Sequence, residues 1–367
     1  MKEIPVIYSP ETFRHQPQYE INKGKRLPNA ESVKRAQVIL HSLRKCGFAN
    51  INISFIAGLP WIEQVHEAKY LKYLQETSAN IDKLVPDQAI EDGEIKALFP
   101  SIFPYSPLNK AGGPDHQMGL FAFDTYTPIM KETFLAAVES ASCAASGAYL
   151  LTKGEHFAYA LCRPPGHHAE NDKMGGYCYI NNCAVAAQFL KDHGAKKVAI
   201  FDIDVHHGNG IQSYGYHRSD ILYVSIHGSP ATTYPYFSGY EDEIGQGEGE
   251  GTNYNFPLPP GVNEEKYHQI AQKSLKIISE YRPDYLIVAT GFDTHTSDPF
   301  HTFDLTTPYF AKLGKVIADI NLPTLIVQEG GYGVEILGEN VVSFLSGLID
   351  FQATVKGRTN RRQTALE

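Results

Sequence analysis

The stretch Lys197-Val198-Ala199-Ile200-Phe201-Asp202-Ile203-Asp204-Val205-His206-His207-Gly208-Asn209-Gly210 runs from an apolar segment straight into carboxylates and imidazoles. Val198 to Phe201 shows no polar alternation. That predicts a strand buried on both faces, the signature of a parallel sheet. In open α/β sheets ligands bind beyond the carboxyl ends of the strands, where Asp202, Asp204, His206 and His207 fall. Asp204 and His206 lie two positions apart, so an extended backbone projects both to one side and turns His207 to the other. A carboxylate and an imidazole so placed suit Zn²⁺, and metal-assisted hydrolysis is the chemistry expected. His207 is assigned to packing or a hydrogen bond.

Outward from this stretch the pattern repeats. Apolar runs predict strands near 5–8, 157–162, 221–226, 285–289 and 324–328. Helical periodicity predicts helices over 31–45, 61–74, 133–151, 184–193, 264–281, 308–320 and 335–348. The alternation predicts an α/β fold, a single-domain, mostly parallel β-sheet with helices on both faces. No Pro/Gly/Ser linker divides the chain, so one catalytic domain over 1–367 is expected. Two regions read as irregular. One is a loop insertion at about 85–127. The other, 228–261, carries the aromatic cluster Tyr234, Tyr236, Phe237 and Tyr240. Loops this long in a compact domain are usually functional, and their aromatic content argues against disorder.

Composition narrows the partners. A formal net charge of −9 argues against non-specific nucleic-acid binding, which needs a basic face, and is compatible with cationic substrates. No run approaches roughly 18 apolar residues, and Met1 to Pro10 holds no signal-like apolar core. A cytoplasmic protein without membrane contact is therefore expected. The 5 cysteines show no paired spacing, which reads as reduced thiols, with Cys178 and Cys183 as core fillers.

Three further segments flank predicted strands. Arg163-Pro164-Pro165-Gly166-His167-His168-Ala169 either brings two imidazoles to one site or is a polar surface loop. Ala289-Thr290-Gly291-Phe292-Asp293-Thr294-His295 brings a further carboxylate to the sheet edge. By itself it reads as a helix cap or Asx-turn. His295 and His301 receive no metal role. Gln328-Glu329-Gly330-Gly331-Tyr332-Gly333 swings a hydroxyl into a cleft, or is a glycine-rich turn with a packed Tyr. Taken together, Asp204, His206 and Asp293 supply three ligands and leave positions for water and substrate. The metal would polarise an acyl oxygen and acidify bound water. A tandem histidine would carry the water proton to the leaving amine, and Tyr332 would donate to the tetrahedral oxyanion.

These four motifs, in this order and spacing, resemble the zinc-dependent deacetylases of the arginase-deacetylase superfamily. Within it the chain is similar to bacterial acetylpolyamine amidohydrolases, relatives of the class II histone deacetylases. Val65-His66-Glu67-Ala68-Lys69-Tyr70-Leu71, Gly175-Gly176-Tyr177-Cys178-Tyr179-Ile180-Asn181-Asn182 and Ser225-Ile226-His227-Gly228 belong to the same pattern, which extends over about 8–348. The resemblance implies the arginase-deacetylase fold, with Zn²⁺ on Asp204, His206 and Asp293; Fe²⁺ suits the same donors. It makes His168 the general base and acid, and His167 an electrostatic partner near the scissile carbonyl. Asp202 would orient His167, and Asn209 would orient His168. An Asn at this position is class II-like and carries no charge, so orientation is its expected role. Tyr332 would stabilise the oxyanion. Gly176, Tyr177 and Tyr234 match the walls of the acyl tunnel, and Phe300 falls at its rim. A structural K⁺ is implied near Asp202, Asp204, His206 and Ser225.

The substrate implied is a small acetylated amine of the acetylputrescine or acetylcadaverine type. The insertion at about 85–127 matches a loop that narrows the cleft and helps build a homodimer. Asp115 aligns with an acid there that would hold a distal ammonium; a solvated loop acid is the plain alternative. Tyr126 stands where the relatives' pattern carries a second acid, and Phe300 supplies no carboxylate at the rim. A protein lysine deacetylase is the alternative function. A catalytically silent binding protein and an arginase-like di-manganese hydrolase are further readings. The intact ligand and proton-transfer set opposes the first, and too few bridging carboxylates oppose the second.

Overall fold

The computed structural model describes residues 4–87, 94–104 and 114–363, with the side chains of 114–115 and 350–363 left out. Eight strands build the main sheet: β1 (Val6–Tyr8), β2 (Ile51–Ile53), β3 (Phe157–Ala160), β4 (Val198–Asp202), β5 (Ile221–Gly228), β6 (Asn253–Leu258), β7 (Tyr285–Thr290) and β8 (Thr324–Gln328). Their order is β6-β5-β4-β7-β8-β3-β1-β2, and every pairing is parallel. The strands that lead into the four motifs are β3, β4, β7 and β8. They are dispersed in sequence but contiguous in the sheet, as β4-β7-β8-β3.

Alternate residues along these strands face two apolar layers, as period-two geometry requires. Ala199, Phe201, Leu286, Val288 and Ile326 pack with Leu40, Leu275, Leu313 and Phe344. These come from helices Lys34–Lys45, Glu264–Tyr281, Thr307–Ala318 and Val334–Gln363. Val198, Ile200, Ile287, Leu325 and Val327 pack with Ala144, Ala148, Ala187 and Leu190, from helices Thr133–Thr152 and Asn182–Asp192. Coverage of both faces explains why these strands read as unbroken apolar runs.

Helix Thr133–Thr152 lies very close to the sheet: a Cβ on Gly147 would sit 2.5 Å from Leu325 Cδ1. By length and composition alone it passes as a membrane span, but 67% of that window is buried inside the protein. Its apolarity serves the core.

Other elements depart from the sequence reading. The region 228–261 is not wholly irregular, since it contains β6. The helix expected over 61–74 is two helices, Leu59–Val65 and Ala68–Ala79, separated at His66, whose backbone is extended. The His66 ring is buried, and its Nε2 accepts from Asn181 N at 3.0 Å. That tertiary contact overrides local helical pattern. An unforeseen antiparallel hairpin joins Tyr19–Asn22 to Lys25–Pro28. Of the insertion at about 85–127, residues 88–93 and 105–113 lie outside the described residues. The rest includes strand Ala97–Leu98, paired with Ile129–Met130, and the turn of helix Pro114–Gln117.

Candidate active site

β4 ends at Asp202, so Asp204 and His206 do not sit on extended backbone as expected. Two successive side-chain turns bring them together instead. Asp202 Oδ1 accepts from Asp204 N (3.1 Å), and Asp204 Oδ1 accepts from His206 N (2.9 Å). The neighbouring strand ends close on this coil. Asp293 Oδ1, beyond β7, accepts from Val205 N at 3.0 Å, and Asp204 Oδ2 accepts from Gly330 N, beyond β8, at 2.8 Å. A Cβ on Gly330 would lie 2.1 Å from Asp293 Oδ2 and 2.5 Å from Asp204 Oδ2. Only glycine lets this turn approach both carboxylates.

His206 Nδ1 lies 3.1 Å from Asp204 Oδ1 and 3.3 Å from Asp293 Oδ2. The three groups offer ligand atoms within 4.8 Å of one another. Asp293 Oδ2 is buried and has no hydrogen-bond partner. Burial and the neighbouring Asp204 charge push the Asp293 carboxyl up to about 7. Burial opposes ionisation of Asp204 too, but the His167 and His206 charges outweigh it and hold that carboxyl well below its usual range. Burial lowers His206, yet Asp204 and Asp293 reverse this and push it up to about 10. Two buried carboxylates and one imidazole, with one oxygen left unsatisfied, fit a divalent cation.

A second close group, His167, Cys178 and Glu329, has a different character. Burial pushes the Cys178 thiol far up, so it keeps its proton. Glu329 Oε2 already accepts from Gly166 N (2.7 Å) and His167 N (3.1 Å). This carboxylate anchors the backbone of the tandem-histidine loop.

The tandem histidines differ in their partners. His167 Nδ1 lies 3.2 Å from Asp202 Oδ2, which also accepts from the Tyr223 hydroxyl at 3.0 Å. Burial lowers His167, but Asp204, Asp202 and Glu329 outweigh it and push it up to about 10. His168 Nδ1 lies 2.8 Å from Asn209 Oδ1. Burial and the charges on His167 and His206 drive His168 well below its ordinary value, so it is neutral. The two rings are 4.0 Å apart.

Tyr332 is set by its backbone. Its N and that of Gly333 donate to Asp298 Oδ2 at 2.6 and 2.7 Å. Arg35 stacks 4.7 Å over the ring, and its Nε donates to Gly331 O at 2.6 Å. Glu31 Oε1 joins Arg35 Nη1 (2.8 Å) to Arg163 Nε (2.9 Å), tying the Tyr332 turn to the tandem-histidine loop. Burial keeps the Tyr332 hydroxyl protonated.

A cavity of about 380 Å³ is lined by His168, Gly176, Tyr177, His206, Tyr234, Phe300 and Tyr332, and by Asn22, Lys23, Tyr126, Tyr236 and His301. Tyr234 stands edge-on to His168, with ring centroids 4.9 Å apart. Tyr177 holds a left-handed φ of 65°, a strained state for a bulky residue. Its hydroxyl donates to Glu20 Oε2 at 2.7 Å, as that of Tyr234 donates to Asp124 Oδ2 at 2.8 Å. Each aromatic wall thus has a buried carboxylate behind it.

Most residues singled out in the sequence therefore converge here. Ser225 pairs in register with Asp202, and its hydroxyl lies 2.7 Å from His227 Nδ1. His207 is buried between Gln212 Oε1 and Ser238 Oγ, each at 3.1 Å, the hydrogen-bonded role expected. His295 Nδ1 accepts from Ser297 N at 3.0 Å, and His301 lines the cavity. The Asp115 side chain lies outside the described residues. Sequence reasoning missed Glu20, Glu31, Arg35, Asp124, Glu170, Asp298 and Glu329. Glu31 and Arg35 carried a signal, acid and base four apart in a helical segment; the others contact distant residues and carried none.

Comparison with known proteins places these motifs in a family. The histone deacetylase domain family matches residues 29–348, which include His167, His168, Asp204, His206, Asp293 and Tyr332. The chain belongs to that family. Acetylpolyamine amidohydrolase 2 of Pseudomonas aeruginosa is 39% identical over 344 residues, covering 93% of this chain and 98% of the relative. The acetylpolyamine amidohydrolase of Mycoplana ramosa is 39% identical over 345 residues, 94% and 99% of the two chains. The crystal structure of an acetylpolyamine aminohydrolase from Burkholderia pseudomallei superposes with a TM-score of 0.89 at 37% identity, covering 95% of this chain and 99% of that one. The HD domain of HDA15 gives 0.78 at 26% identity, over 96% and 90%. The arginase-deacetylase fold and a hydrolytic deacetylase, both expected from sequence, agree with this family. The family is metal-dependent, and the Asp204–His206–Asp293 cluster is the metal-binding candidate at this site.

Proposed function

We propose that the chain is a zinc-dependent amidohydrolase that removes acetyl groups from acetylated polyamines of the acetylputrescine or acetylcadaverine type. One observation carries the chemistry: His206, which with Asp204 and Asp293 forms the metal-binding cluster, and the neutral His168 line a single aromatic-walled cavity. The substrate class rests on near full-length similarity to relatives named for acetylpolyamine hydrolysis.

In this reading Asp204, His206 through Nδ1 and Asp293 through its unpartnered Oδ2 hold Zn²⁺; Fe²⁺ suits the same donors. When bound, the metal polarises the acyl oxygen and acidifies water. His168 keeps its Nδ1 proton on Asn209, takes the water proton at Nε2 and delivers it to the amine as the C–N bond breaks. His167, cationic over Asp202, places positive charge beside the reacting carbon. Tyr332 donates its hydroxyl proton in a hydrogen bond to the developing oxyanion. Gly176, Tyr177 and Tyr234 confine the aliphatic linker, and Phe300 closes the rim. A Cβ on Gly176 would sit 2.2 Å from His168 Cδ2, so this wall needs glycine. A structural K⁺ near Asp202, Asp204, His206 and Ser225, a homodimer, and Asp115 as the sequence-based candidate for the distal ammonium complete the proposal.

A protein lysine deacetylase is the second reading, and one observation favours it. Among the described residues lining the cavity none is a carboxylate, and Lys23 puts an ammonium there. The deciding measurement is kcat/KM for acetylputrescine against an acetyl-lysine peptide, with metal analysis of the same sample. Preference for the diamine with stoichiometric zinc is expected. Preference for the peptide overturns the substrate. Turnover that survives complete chelation overturns the metal role.

A further inference from the structure

We propose that Glu170 is a positioning residue for proton transfer, acting on His168 through Asn209. The proposal rests on the reading of His168 as the base.

An Asn side chain can turn either its oxygen or its nitrogen to an imidazole, and as a neutral amide it brings no charge. Three contacts resolve the orientation here. Asn209 Oδ1 lies 2.8 Å from His168 Nδ1. Asn209 Nδ2 donates to His168 O at 3.2 Å and to Glu170 Oε1 at 2.9 Å. A backbone carbonyl and a carboxylate only accept, so Nδ2 must face them and Oδ1 must face the ring. His168 Nδ1 then carries its hydrogen, and the Nε2 lone pair is left for the water proton. Glu170 thus sets the tautomer of the base from two hydrogen bonds away.

The same contact also supplies charge. Asn209 alone cannot stabilise the imidazolium that forms when His168 takes a proton. A carboxylate on Nδ2 polarises the amide and enriches Oδ1 in negative charge, and such chained hydrogen bonds reinforce one another. Orientation and charge are divided between Asn209 and Glu170.

Glu170 is placed to do this and nothing at the substrate. It is half-buried and lines a separate cleft behind helix Asn209–Gly215, beside Tyr214 and Arg218. It does not line the cavity that holds His168. Its backbone N donates to Lys173 O at 2.9 Å. Burial lifts its carboxyl, while the Asn209 amide and the Lys173 charge hold it back and Asp172 lifts it slightly further. The titratable groups facing His168 itself are His167, His206 and Asp204.

The test is a double-mutant cycle with kcat and KM read separately on the zinc-loaded enzyme. Glu170→Gln keeps the size and an accepting oxygen but removes the charge. Its kcat should fall roughly tenfold or more, the usual size of such outer partners, with KM and zinc content unchanged. Asn209→Asp alone sets a carboxylate against Glu170 and should also lose kcat. The double variant Glu170→Gln/Asn209→Asp returns one charge beside His168 and should recover most of the loss. A merely structural Glu170 predicts losses that add, or KM and kcat that move together, and either result overturns the proposal. So does an unchanged kcat in Glu170→Gln. If that variant unfolds, nitrogen NMR of His168 in Glu170→Ala decides: mixed tautomers are expected, and a purely Nδ1-protonated ring overturns the proposal. His168→Ala separates the two levels. Retained turnover there sinks the base assignment, whereas lost turnover with a parental Glu170→Gln sinks only the role of Glu170.

Discussion

The floor and the mouth of one cavity are built by opposite means. The floor is made from the ends of β3, β4, β7 and β8, four neighbours in one sheet. His167, His168, Asp204 and Asp293 are buried there. Their backbones and carboxylates are tied by bonds such as Gly330 N to Asp204 Oδ2 and Val205 N to Asp293 Oδ1. The mouth is made from the tip of the Tyr19–Asn22/Lys25–Pro28 hairpin and from loops, and Lys23, Thr232, Tyr236 and His301 are exposed. Moving a floor group breaks several buried bonds at once. A mouth side chain moves at little cost. Chemistry is therefore held rigid, while selectivity is left to adjustable groups. Floor substitutions should act on kcat and metal retention, and mouth substitutions on the choice of substrate.

The harshest test of that division is Asp293→Ala. It removes the unsatisfied Oδ2 and the acceptor for Val205 N, and should abolish turnover by orders of magnitude with loss of bound zinc. Stoichiometric zinc in the variant would remove Asp293 from the ligand set. Tyr332→Phe should cost roughly 10²-fold in kcat, the scale of one oxyanion donor, with KM within a few-fold. Asp298 and Arg35 still hold the turn, so a large KM change would show that Tyr332 binds substrate instead. At the mouth, Lys23→Glu should raise kcat/KM a few-fold for acetylated diamines over a neutral acetylated amine of equal length. High salt should erase the gain by screening. A change in kcat for the neutral amine would blur the boundary between the two regions.

The smallest effect concerns stability outside the cavity. Burial lowers His66 from 6.5 to about 4. The unfolded chain therefore takes this proton near 6.5 while the folded chain resists it until about 4. Stability from a neutral His66 is complete above 6.5 and is lost as pH falls towards 4. At pH 5 the loss is about 2 kcal/mol, from 1.36 kcal/mol per pK unit. Thermal melts at pH 7 and pH 5 should show a smaller drop for His66→Asn than for the parent. Equal drops would refute the assignment.

Legibility followed the same division. β4, β7 and β8 were readable because helices cover both faces and leave unbroken apolar runs. β6 and β2 lie at the sheet edges, where one partner suffices and the pattern weakens; the hairpin that reaches the mouth gave no clear periodicity. The break at His66 was hidden because its cause, the bond from Asn181 N, comes from a distant segment. Asp204, His206 and Asp293 were readable as candidates because chemical groups directly after buried strands stand out. The side they share was misattributed to strand alternation, when Asx-type turns produce it.

The sequence by itself determined the class of chemistry: carboxylates and imidazoles suited to holding a metal and moving protons follow directly on apolar strands, and that pattern is local. Only the tertiary structure decided how those groups are tuned. It set the charged His167 above Asp202, the neutral His168 on Asn209, Glu170 behind that amide, and Glu31 between two arginines. These contacts depend on strand order and loop closure, and burial converts each into a shifted proton affinity or a fixed orientation. No local stretch of sequence encodes which distant group will fill a buried hydrogen bond.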